Sequence, residues 1–86
     1  MKIVATKHFL KTAGLLPAEV QNKLDTLLVL FAQNPFHPLL HTKRLKRELA
    51  QAFSFRISRD WRAIFVFEDN DTVKLINIGN RKDIYR

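Results

Sequence analysis

The chain contains no cysteine, which excludes a disulfide framework, a thiolate metal site and a cysteine nucleophile. Glycine and proline are scarce, with two and three respectively, so there is little material for long loops or a linker. Long hydrophobic runs are missing as well. The longest, LLVLFA at 27–32, falls far short of the ~20 apolar residues that a membrane-spanning helix needs. The opening MKIVATKHFLKTAG lacks the apolar core and cleavage site of a secretory signal. With the absence of cysteine, this predicts a cytoplasmic protein with no membrane partner. Acidic residues are few: eight Asp and Glu stand against 15 Lys and Arg, for a net charge of +7 and a pI near 10.3. Such an imbalance predicts a polyanionic partner, nucleic acid foremost.

What is present suffices for one domain over residues 1–86, with one modest core; 47% of the chain is hydrophobic. KIVAT (2–6) reads as a short strand. Thr6 is placed to cap a helix that Gly14 ends, and Pro17 to open a second. In that second helix Val20, Leu24, Leu27, Leu28 and Phe31 recur at helical spacing, and Asn34-Pro35 stops it. FHPLLHTKRLKREL follows as a loop or strap, with Lys43, Arg44, Lys46 and Arg47 packed into five positions and His37 and His41 beside them. From Phe53 the period falls to two. FSFRI, WRAIFVFE and TVKLINI read as three antiparallel strands joined at SRD and DND. The expected fold is α+β, in β-α-α-β-β-β order: two helices on one face of a mainly antiparallel four-stranded sheet.

Alternation along these strands assigns faces. A turn centred on residue 59 sets Arg56 opposite Arg62, and one centred on residue 70 sets Ile76 opposite Ile64. One face then holds Arg56, Arg62, Ile64, Val66, Lys74, Ile76, Ile78 and Asn80. The other holds Phe53, Phe55, Phe65, Phe67, Val73 and Leu75 and meets the helices, with Trp61 packing on the same side. A one-residue slip would invert the assignment. Facing arginines repel unless an anion lies between them, and their guanidinium forks match phosphate. Ile64, Val66, Ile76 and Ile78 are expected as an uncovered apolar patch for a protein partner. His8, His37 and His41 have no regular ligand spacing, so no metal is expected.

The combination of HPLLHTKRLK, SFRISRDWRAIF and LINIGNRKDIYR, at this spacing and over almost the whole chain, resembles the RelE/ParE toxin superfamily, more narrowly its RelE-type mRNA interferases. The resemblance implies a toxin of a type II toxin–antitoxin system that enters the ribosomal A site and cuts mRNA without metal or cofactor. In that chemistry the ribose 2′-hydroxyl attacks the adjacent phosphate. Arg62 matches the arginine of the family's (Y/W)R strand motif, Arg81 the arginine after the last strand, and Tyr85 the C-terminal tyrosine that lies against the substrate nucleotide. Arg56 stands near the family's basic positions on the preceding strand, from which the turn length here differs. Asn80 stands where many relatives carry a histidine, which leaves the general acid and base unassigned. The strap residues His41, Lys43, Arg44, Lys46 and Arg47 are then candidates for contacting ribosomal RNA. The implied partners are a cognate antitoxin, the ribosome and mRNA, with operator DNA reached only through the antitoxin. Two alternatives within the resemblance are a non-enzymatic gyrase inhibitor of the ParE type and a degenerate member that only binds its antitoxin.

Overall fold

The structure is a computed structural model and describes residues 1–46 and 51–84. In chain order the elements are β1 (Lys2–Ala5), α1 (Lys7–Gly14), α2 (Ala18–Gln33), a short 3-10 turn (Pro38–Leu40), β2 (Lys43–Arg44), β3 (Phe53–Arg56), β4 (Trp61–Phe67) and β5 (Thr72–Asn80). The Thr6 hydroxyl caps α1 by accepting from the Phe9 N–H at 3.0 Å. Gly14 is the last helical residue rather than the one beyond it; Leu15 caps the end in an ordinary right-handed conformation, its N–H reaching the Thr12 carbonyl at 3.0 Å. Pro17 likewise stands one position before α2, as its N-cap, and Asn34 ends the helix in extended backbone. No helix among the described residues is long and apolar enough to cross a membrane.

The strands form one sheet in the order β1-β5-β4-β3-β2, antiparallel except for β1, which runs parallel to β5. The α+β class and the helix placement are as expected. The sheet has five strands rather than four, because two residues of the basic strap pair with β3 as β2. Both helices share one core with a single face of the sheet: Phe9, Leu24, Leu27 and Phe31 meet Phe55, Ala63, Phe65, Val73 and Leu75. The Phe31 ring lies 4.9 Å from Phe55 and 4.8 Å, edge-on, from Phe65. Such aromatic pairs add about 0.5–1.5 kcal/mol each beyond their buried area. Trp61 packs against the core, as expected. With its aromatic face committed to the helices, the sheet turns its other face, carrying Arg56 and Arg62, outward.

The register of β3 against β4 is the expected one, with Arg56 opposite Arg62. That of β4 against β5 holds only as far as Phe65 opposite Leu75. A β-bulge then inserts Ile76, so that Asn77 faces Ile64, Ile78 faces Ala63, Gly79 faces Arg62 and Asn80 faces Trp61. A bulge adds one residue to one strand and exchanges the faces of everything beyond it. Two expectations are thereby corrected. Ile78 belongs to the core, 2% exposed, and Asn80 does not share a face with Arg62. The apolar patch is also not an open one: Ile64 is buried, and Val66 and Ile76 are half-buried. The large exposed apolar side chains among the described residues lie elsewhere, at Met1, Leu10, Leu15, Val29, Phe36 and Leu39. The bulge is tied to the first helix. The Thr6 hydroxyl donates to the Ile76 carbonyl (3.4 Å), and His8 Nε2 lies 3.1 Å from Asn77 Oδ1.

Candidate functional site

The outward face of β3 and β4 forms the floor of a cavity of about 350 Å³, lined by His41, Lys43, Arg44, Leu45, Lys46, Ser54, Arg56, Arg62 and Arg81. Six of these nine are Lys or Arg, and none is acidic. Like charges gathered in this way repel one another, and a bound anion relieves the repulsion.

Each wall has a local cause. Pro35, Pro38 and the His37 side chain, whose Nδ1 accepts from the Leu39 N–H at 3.1 Å, fold the chain after α2 into the 3-10 turn. His37 is therefore a structural cap. His41 follows with φ 50° and ψ 44°, the left-handed region, and turns the strap toward the sheet edge. A non-glycine residue costs roughly 1–2 kcal/mol there. The Thr42 hydroxyl secures the turn by donating to the Pro35 carbonyl at 2.5 Å. Lys43 then pairs with Ser54 and Arg44 with Phe53, while the Leu45 N–H reaches the Ala52 carbonyl at 2.9 Å. This pairing carries the basic strap to the rim above Arg56.

Arg62 is held firmly. Its Nη1 donates to the carbonyls of Ser58 (2.6 Å), Arg59 (3.1 Å) and Trp61 (3.1 Å), bracing the β3–β4 turn. Arg56 is exposed and, among the described residues, has no side-chain partner; the same holds for Arg81. These two cations are available to an anion without giving up an internal bond. Arg81 arrives from the end of β5, across β4 from Arg56, and its N–H donates to the Asp60 carbonyl at 2.7 Å.

Of the expected catalytic residues, the structure thus brings Arg56, Arg62 and Arg81 together. His41, Lys43, Arg44 and Lys46, the candidates for contacting ribosomal RNA, line the same cavity. Asn80 is not among the lining residues. Its side-chain oxygen accepts from the Lys82 N–H at 2.9 Å, and its carbonyl from the N–H groups of Asp83 and Ile84. Tyr85 and Arg47 lie outside the described residues. Two contributions escaped the sequence reading: Ser54, a buried cavity residue, and the Asp60 carbonyl that docks the tail. The strand alternation did put Ser54 beside Arg56, whereas nothing local marks a backbone carbonyl. Among the described residues no three His, Cys, Asp or Glu side chains cluster as metal ligands.

No protein-family model matches the chain, and no curated protein matches it. Solved structures do. A YoeB/ParE toxin from Agrobacterium tumefaciens superposes with a TM-score of 0.80 at 21% identity, over 94% of this chain and 99% of its own. YafQ from E. coli gives 0.81 at 18% identity, over 99% and 98%. The archaeal RelE of a RelE–RelB complex from Pyrococcus horikoshii gives 0.77 at 14% identity, over 95% and 96%. Likeness of this extent, covering each chain almost end to end, shows that this protein has the fold of the RelE/ParE toxins.

Proposed function

We propose that the chain is the toxin of a toxin–antitoxin pair and that it cuts mRNA in the ribosomal A site. The observation that carries this reading is the cavity: Arg56, Arg62 and Arg81 meet the basic strap around a space free of acidic side chains. In the proposed reaction the ribose 2′-hydroxyl attacks the adjacent phosphorus, and the bond to the 5′-oxygen breaks. A 2′,3′-cyclic phosphate and a 5′-hydroxyl result. The pentavalent phosphate carries extra negative charge in the transition state, which preorganised guanidinium groups stabilise more than they stabilise the ground state. Arg56 and Arg81 contact the phosphate oxygens, Arg62 stands between them, and Lys43, Arg44 and Lys46 hold the flanking backbone. His41 is the imidazole on the cavity wall and the residue suited to proton transfer. By the resemblance, Tyr85 lies against the nucleotide and Arg47 extends the basic strap.

The RelE–RelB complex supports an antitoxin as the physiological partner. An acidic segment laid across the cavity would neutralise its cations and bar RNA. The test is expression of the chain alone with mapping of mRNA 5′ ends, beside Arg62→Ala and Tyr85→Phe. Codon-phased cuts that vanish in the variants are expected. Intact mRNA with DNA damage would instead assign the chain to gyrase inhibition, and absence of toxicity would leave an antitoxin-binding role alone.

A further inference from the structure

We propose that Asn80 is a positioning residue: with Gly79, Ile84 and the Asp60 carbonyl, it forms a clasp that holds Arg81 in the cavity. The clasp deepens the function proposed above, since it concerns the same cavity, but it stands on its own geometry.

The bulge at Ile76 turns Asn80 to the Trp61 side of the sheet, away from Arg62. A carboxamide there is badly placed to touch a phosphate in the cavity, and its oxygen is already engaged. Asn80 Oδ1 accepts from the Lys82 N–H at 2.9 Å, which is the geometry by which an asparagine side chain mimics a backbone turn. Its own carbonyl accepts from Asp83 and Ile84, both at 2.9 Å, so residues 81–84 close into one turn. That turn delivers Ile84 over Gly79. A Cβ built on Gly79 would stand 3.6 Å from the Ile84 side chain, an ordinary van der Waals distance, so Ile84 packs directly over the Gly79 position. Gly79 is the register partner of Arg62. The Ile84 contact therefore falls on the cavity side of the sheet, next to the arginine pair.

Arg81 is fixed from both directions. Behind it, the N–H of Arg81 itself is bound by the Asp60 carbonyl at 2.7 Å. Ahead of it, the Asn80 turn sets the chain's path. The Asp60 carbonyl is in turn held in place because Arg62 Nη1 grips the carbonyls of Ser58 and Arg59, the two residues before it. Arg62 thus reaches Arg81 through the turn as well as through the cavity. An exposed arginine with no side-chain partner loses rotamer freedom when it is immobilised. Anchoring its backbone in advance lowers the remaining cost of binding.

The test uses the full chain and inorganic pyrophosphate as probe, with affinity measured by calorimetry, so its outcome does not depend on RNA cleavage. Arg81→Ala is expected to weaken pyrophosphate binding about tenfold, the loss of one charge-assisted contact. Asn80→Ala should cost most of that factor, Asn80→Ser should recover part of it, and the double variant Asn80→Ala/Arg81→Ala should bind no worse than Arg81→Ala. Ile84→Ala, at a half-buried position in the terminal turn, should show the same non-additivity with less risk to folding. Independent losses that multiply in the double variants would overturn the proposal, as would wild-type affinity in Asn80→Ala. If the clasp behaves as stated while mRNA remains uncut in cells, the function proposed above fails and the clasp stands.

Discussion

At the scale of single residues, the three cavity arginines are not equivalent. Arg62 spends Nη1 on three carbonyls of its own turn, whereas Arg56 is exposed and without a side-chain partner among the described residues. A lysine carries the charge but not the planar fork. Arg62→Lys should therefore lower stability by about 0.5–1.5 kcal/mol, because the half-buried Ser58 carbonyl and the exposed Arg59 carbonyl lose a charged donor, and should weaken anion binding as well. Arg56→Lys should leave the unfolding midpoint unchanged and weaken anion binding only. Thermal unfolding alongside a pyrophosphate titration separates the two. His41 is distinctive in another way. Its left-handed backbone is the only positive φ among the described residues, at the point where the strap bends toward the sheet. Nothing in HPLLHTKR marks that position in advance, since histidine is tolerated there without being required.

Among the elements, β5 does the most to shape the site. Thr6 serves it twice over, capping α1 through Phe9 and donating to the bulged Ile76 carbonyl. Thr6→Ala should cost about 1–2 kcal/mol, while Thr6→Ser, which keeps the hydroxyl, should cost little; chemical denaturation distinguishes them. At the other end, in the β4–β5 turn, the Asp71 backbone N–H, bound to Asp69 Oδ1 at 2.8 Å, holds the Asp69 carboxyl below the usual carboxylate value. A group depressed on folding contributes stability above its unfolded value and loses it as pH falls through its folded value. Acid titration of stability should thus show a component that Asp69→Asn, which retains the acceptor oxygen, removes.

Legibility in the sequence divides along the same line. The Arg56–Arg62 pairing could be read because SRD is a short loop that leaves little choice of register, and α2 because its apolar residues keep helical spacing over its whole length. The bulge could not, because strict alternation through TVKLINI leaves no place for an extra residue. Its trace is there in retrospect: the core positions run Val73, Leu75, Ile78, a step of two followed by a step of three. That single shift moved Ile78 into the core and turned Asn80 from a cavity residue into a turn former. The strap's place on the cavity rim depends on Lys43 meeting Ser54, a pairing between distant segments that no local pattern encodes.

Taken whole, the molecule segregates charge. Glu68, Asp69 and Asp71 cluster at the β4–β5 turn, with Glu68 3.4 Å from Lys74, while the cavity is lined by six cations and no acid. On the function proposed above, single-stranded RNA is expected to bind this surface chiefly through counterion release, with a slope of log affinity on log salt near −0.7 per phosphate neutralised. Engagement of all six cavity cations predicts a slope of about −4, and Arg56→Ala or Arg81→Ala should each reduce it by about 0.7. Fluorescence anisotropy of a short labelled RNA over a salt series reads this directly.

The proposed function requires this cavity to cut mRNA on the ribosome. Purified chain should be added to programmed ribosomes with an empty A site, and separately to the same mRNA alone, and the product ends identified. Cleavage within the A-site codon is expected only when ribosomes are present, leaving a 2′,3′-cyclic phosphate, and it should be lost in Arg62→Ala and Arg81→Ala. Uncut mRNA on ribosomes that bind the chain, or cleavage unaffected by those substitutions, would contradict that function.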